Sequence, residues 1–86
     1  MQRTIRVPIA DVYVPAKRRK TLDDGRVEAL AEQIIEDGMQ TPIMVRAGKE
    51  PGKEQWVLVE GLHRLETQRA LGESEIEAYH VQPRQY

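Results

Sequence analysis

The stretch Val59-Glu60-Gly61-Leu62-His63-Arg64-Leu65-Glu66 holds the densest chemistry in the chain. An apolar run reaches a glycine, and a helical pattern begins almost at once. The first N–H groups of a helix have no partner within it and sit at the positive end of its dipole. Such a turn is ready to hold an anion, and Gly61 would let a phosphate approach the backbone. His63 and Arg64 fall in the first turn, where a cation is unfavourable on the bare helix and useful against a bound phosphate. A structural reading stands beside this one: Arg64 paired with Glu60 or Glu66, and His63 covering a strand. The residues alone leave both open.

Two further groups could do chemistry. Lys17-Arg18-Arg19-Lys20 is a basic run. It is either a solvated loop or a weak, salt-sensitive contact for the DNA backbone, since it lacks an aromatic platform for bases. Glu60 and Glu66 are candidates for a base or a magnesium ligand, although Glu66 with Arg69 also makes a helix-surface pair at i,i+3. His63 and His80 are far apart and there is no cysteine, so a zinc site is not supported.

Composition bounds these options. Eighty-six residues suffice for one domain, expected over 1–86 with a core from about 4 to 81, a basic loop at 16–20 and a tail at 82–86. A hydrophobic content of 40% with 31% charged residues suits a soluble globular chain. The absence of cysteine removes disulfides and thiolate chemistry. No apolar run is long enough for a membrane span or a signal peptide, so a cytoplasmic location is expected. Net charge is −1, yet residues 1–20 carry six Lys/Arg against one Asp. Polyanion contact must therefore be local.

The elements that would position these residues can be read from periodicity. Thr4 to Ile9 alternates as a strand, with Pro8 confining it to an edge or ending it. Residues 11–15 continue as extended chain. A helix over about 22–37 follows, capped by Thr21 or Asp23 and ended by Gly38. Val27, Leu30 and Ile34, flanked by Ala31 and Ile35, form its apolar stripe. Residues 42–46 and 55–59 read as a hairpin around a polar turn at 47–54. A second helix spans about 62–71 and closes at Gly72, and residues 75–81 form a last strand. Val27, Leu30, Ile34, Ile43, Val45, Trp56, Leu58, Leu65 and Leu71 are the expected core. The fold class is mixed α/β: a short mixed sheet with two main helices.

Three ordered motifs resemble the N-terminal domain of ParB-type partition proteins. They are the aspartate-initiated helix from Thr21 to Ile34, the segment Asp37-Gly38-Met39-Gln40-Thr41-Pro42-Ile43-Met44-Val45, and Gly61-Leu62-His63-Arg64 running on to Leu71-Gly72. The G-x-H-R form of the last is similar to that of sulfiredoxins. The resemblance covers residues 5–81 and implies a ParB/sulfiredoxin fold. In that superfamily the turn resembles a nucleotide phosphate clamp, binding CTP in ParB proteins and ATP in sulfiredoxins, while some archaeal relatives are free-serine kinases.

The resemblance implies phosphate contacts from Gly61, Leu62 through its backbone, His63 and Arg64. Arg26 falls where sulfiredoxins have a phosphate-binding lysine. Gln33 falls where ParB proteins have a serine and sulfiredoxins a threonine. Sulfiredoxins place their nucleophilic cysteine where this chain has Leu62, so sulfinic acid repair is excluded. ParB's helix-turn-helix and dimerisation regions have no counterpart in these residues. The expectation is a domain that binds a nucleotide, CTP or ATP with Mg2+, linked to partition or regulation and with little turnover of its own. A small NTPase or phosphotransferase is the enzymatic alternative. A weak DNA-backbone module, or a protein-interaction domain with a vestigial nucleotide site, are the others.

Overall fold

The alternating N-terminal residues form strand β1, Thr4–Pro8, in a computed structural model that describes residues 3–38, 41–48 and 55–82. A 3-10 turn at Ile9–Asp11 leads into β2, Val12–Tyr13. Helix α1, Ala16–Arg19, and helix α2, Asp24–Asp37, precede β3, Ile43–Ala47. Then come β4, Trp56–Glu60, helix α3, Leu62–Ala70, and β5, Glu75–His80.

The strands form one mixed sheet in the order β1-β5-β3-β4-β2. β1 lies antiparallel to β5, with Val7 opposite Ile76. β5 runs parallel to β3, and β4 parallel to β2. β3 and β4 make the expected antiparallel hairpin, closed by Gly48 N–H to Gln55 O at 2.9 Å. Residues 49–54 of its turn, 39–40 of the second family motif and 83–86 of the tail lie outside the described residues. Pro8 ends an edge strand, where its missing N–H costs no ladder bond.

Local chemistry explains the helix limits. Asp23 is extended and its carboxylate accepts from Gly25 N–H and Arg26 N–H, so α2 starts after it and Leu22 stays outside. Gly38, at φ 67°, adopts the left-handed conformation that ends α2, and its N–H reaches Ile34 O. The basic loop expected at 16–20 is instead one turn of helix. Pro15 fixes φ at −58° just ahead of it, and Ala, Lys and Arg are good helix formers. Arg18 and Arg19 N–H both return to Pro15 O.

Val7, Ile43, Val45, Leu58 and Ala78 of the sheet and Leu65 of α3 are essentially covered. Ile9, Val12, Val14, Leu62 and Ile76 complete the cluster. The core expectation therefore holds for Ile43, Val45, Leu58 and Leu65 and overshoots elsewhere. No residue of α2 is buried. Val27, Leu30 and Ile34 are half-covered, as are Trp56 and Leu71, and Ile35 is 72% exposed. α2 packs on α3, and part of its apolar stripe faces open space between the two helices. Trp56 leans on the core and meets His80 edge-to-face, with ring centroids 5.1 Å apart. Among the described residues no helix is long and apolar enough to cross a membrane.

Candidate functional site

Gly61 sets the direction of α3. Its φ of 108° is left-handed, and a Cβ there would stand 2.6 Å from Ile43 Cγ2 and 2.9 Å from Ile43 Cβ. The fold requires glycine here because β3 lies against it, which is a packing reason independent of any ligand. Leu62 sends its side chain into the core, leaving its backbone to the turn. No side chain caps α3, and its first bond is Leu65 N–H to Gly61 O. Among the described residues, the N–H groups of Leu62, His63 and Arg64 have no acceptor. The start of α2 differs, since Asp23 already caps it.

His63 ties the helices together. Its Nε2 accepts from Asp23 N–H at 3.1 Å, so that bond assigns the proton of the neutral ring to Nδ1. Thr67 Oγ1, fully buried, contacts both Val27 O and His63 O. These bonds fix where α2 presents Arg26 relative to the α3 turn.

An open cleft of ≈ 430 Å³ lies at this junction. Its polar lining includes Arg18 from α1, Arg26 from α2, His63 and Arg64 from α3, and Glu60 from the end of β4. Among the described residues three guanidiniums thus meet one carboxylate. Among the described residues Arg64 makes no ion pair, and neither Glu60 nor Glu66 is its partner. The structural reading of Arg64 loses its expected partners.

Other sequence candidates are dispersed. Arg18 lines the cleft, while Arg19 donates to Val14 O at 3.3 Å and lines a separate groove with Tyr13 and Leu22. Lys17 and Lys20 are exposed, so the basic run is divided among directions rather than presented as one stripe. Glu66 lies in that separate groove, paired with Arg69 at 3.4 Å. This is the expected surface pairing, and it removes Glu66 from the cleft. Among the described residues no three His, Cys, Asp or Glu groups gather as a metal site. Gln33 lines an adjoining pocket of ≈ 220 Å³ that shares Leu30 and Arg64 with the cleft.

That adjoining pocket holds the residue that sequence reasoning missed. Gln68 is 3% exposed and lines it. The signal was available: Gln68 is four residues beyond Arg64, hence on the same helical face.

With this geometry in view, the chain can be placed among known proteins. The family model of the ParB N-terminal domain matches residues 1–85, and the chain belongs to that family. Comparison with curated proteins finds no match. Sulfiredoxin from Arabidopsis thaliana superposes with a TM-score of 0.74 at 25% identity, over 94% of this chain and 86% of that one. The C-terminally truncated chromosome-partitioning protein ParB from Caulobacter crescentus, complexed with CTP-gamma-S, gives 0.75 at 22% identity, over 94% and 45%. A free serine kinase in complex with AMP gives 0.71 at 18% identity, over 91% and 30%. The ParB and kinase likenesses show a shared fold, and the chain spans less than half of either protein. The mixed α/β ParB/sulfiredoxin fold is thereby established.

Proposed function

We propose that this ParB-like chain binds a nucleotide, holding its phosphates in the cleft at the start of α3. The observation that carries the reading is the gathering of Arg18, Arg26 and Arg64 from three helices around an uncapped helix N-terminus. Like charges brought together in a partly covered cleft repel, and an anion relieves both that repulsion and the unmet N–H groups. Guanidiniums match phosphate oxygens in a bidentate fork. The adjoining pocket, with Leu30, Ile34, Pro42 and Ile76 as apolar walls, has room beside the phosphates for the nucleoside. Kin that are described with CTP-gamma-S and AMP support this assignment.

Among the described residues Glu60 is the one carboxylate of the cleft lining. A phosphate-bound Mg2+ takes one or two carboxylates with waters, so Glu60 is the residue that would hold it. Partition or regulation is the role we assign to this binding, in keeping with membership of the ParB family. Isothermal titration with sodium tripolyphosphate, CTP and ATP tests the reading. Saturable binding that is lost in Arg64→Ala supports it, and failure of all three ligands to bind the wild type overturns it.

A further inference from the structure

The basic run Lys17-Arg18-Arg19-Lys20 leads directly into Thr21. Thr21 is exposed in the turn between α1 and α2, and it lines the cleft beside Arg18, Arg26 and Arg64. Its hydroxyl donates to Arg18 O at 2.7 Å. Charge favours a phosphoryl group on that hydroxyl. With His63 as the neutral acceptor of Asp23 N–H, three guanidiniums and one carboxylate give the described lining a net charge of +2. A phosphothreonine carries about −1.5 to −2 at neutral pH, so one such group balances the lining. Placed opposite an arginine cluster it forms charge-assisted hydrogen bonds. Asp23, two residues away, opposes it little, because its carboxylate is turned into α2 by Gly25 and Arg26 N–H. Phosphorylation also removes the proton that ties Thr21 to Arg18 O, which frees the side chain to turn toward the guanidiniums.

The same segment suits an enzyme that would install the group. A protein kinase whose substrate groove bears carboxylates selects cations just ahead of the acceptor, and Arg18, Arg19 and Lys20 fill the three positions before Thr21. Helix α1 buries no residue, so the segment can open into such a groove without disturbing the core. In the transfer, Thr21 Oγ1 attacks the γ-phosphorus of the nucleoside triphosphate held by the kinase. The Oγ1–P bond forms as the bond from that phosphorus to the β,γ-bridging oxygen breaks. Nucleoside diphosphate leaves, and the hydroxyl proton passes to the catalytic aspartate of the kinase. The product keeps its phosphate tethered beside the cleft, at an effective concentration of about millimolar or more.

We propose that Thr21 is a phosphorylation site whose phosphoryl group, once in place, sits among Arg18, Arg26 and Arg64 and shuts the cleft to nucleotide. This rests on the reading that the cleft holds nucleotide phosphates. The first test incubates the full chain with Mg-ATP and the catalytic subunit of a kinase selective for Arg-Arg-x-Thr sites. Intact mass should show one added phosphoryl group on the wild type and none on Thr21→Val. No addition to the wild type, or an addition that persists in Thr21→Val, overturns the site. The second test uses the full chain with phosphothreonine encoded at position 21. In phosphate-free buffer it should melt higher than the unmodified chain, and it should bind tripolyphosphate at least about ten-fold more weakly. Phosphorus-31 NMR should place the second ionisation of its phosphate below the ordinary value of about 6, and Arg64→Ala should return it toward that value. A lower melt, an unchanged tripolyphosphate affinity or an ordinary phosphate ionisation overturns the proposal. In those cases tripolyphosphate binding by the unmodified chain leaves the phosphate cleft standing. If the unmodified chain binds neither tripolyphosphate nor any nucleotide, the reading of the cleft fails and the proposal falls with it.

Discussion

Removing the Arg64 guanidinium should move stability and binding in opposite directions. Arg64 sits in the first turn of α3 with no ion pair among the described residues. A cation there opposes the helix dipole by about 0.3–1 kcal/mol. In buffer free of phosphate, Arg64→Ala should therefore gain up to about 1 kcal/mol, less whatever its methylene stem contributes by covering apolar surface. For a domain of this size that gain raises Tm by roughly 1–8 °C. With tripolyphosphate at a hundred times the wild-type Kd, the wild type should gain about 2.7 kcal/mol by linkage. A lost charge-assisted hydrogen bond is worth about 1.5–3 kcal/mol, hence ten-fold or more in Kd. The variant at the same ligand concentration should then gain only about 0.3–1.3 kcal/mol. Differential scanning fluorimetry with and without tripolyphosphate reads both effects in one experiment. A variant that melts lower than wild type without any anion, and shifts as far as wild type with it, would refute the argument.

Other substitutions probe the supports of the cleft. Gly61→Ala should destabilise the fold by about 2–5 kcal/mol, from left-handed strain plus overlap with Ile43, seen as a lower urea midpoint. The double variant with Ile43→Ala should not restore stability, because the backbone strain remains. His63→Ala should cost about 1 kcal/mol by removing the acceptor for Asp23 N–H, and exchange at the Asp23 amide should quicken while that at Val45 stays slow. Duplex DNA should bind at micromolar affinity or weaker and be released by a few-fold rise in salt, since the basic run is divided. Anisotropy that persists at physiological salt would contradict this.

Local signals were legible in the sequence where one residue type answers one backbone demand. Asp23, Gly38 and Gly61 mark element ends because capping and left-handed conformations admit few alternatives. The hairpin of β3 and β4 and the edge position of β1 followed from alternation and Pro8. Depth of burial was not legible. The stripe Val27, Leu30, Ile34 has the periodicity of a core helix, but periodicity states which residues share a face and not what covers it. For the candidate site, the G-x-H-R turn could be nominated from type and spacing, and Arg26 through the family resemblance. Gln68 could not be singled out so readily, because a glutamine on a helix is ordinarily solvated and only the tertiary fold withdraws it from water. Glu66 was ambiguous until α3 turned it toward Arg69.

The absence of any buried residue in α2 has a consequence for how the chain would report its own occupancy. A helix without an anchor in the core belongs to the least stable part of a native structure and opens ahead of global unfolding. Besides packing on α3, α2 is joined to it by the Asp23–His63 and Thr67–Val27 hydrogen bonds. A polyphosphate bridging Arg26 to Arg64 would add a third fastening across the same seam. Amides of α2 should then exchange with solvent at a rate that tracks ligand concentration, while those of β3 and β5 stay indifferent. The outer helix would thus act as the molecule's gauge of cleft filling, and any partner that docks on α2 would in effect be reading that gauge.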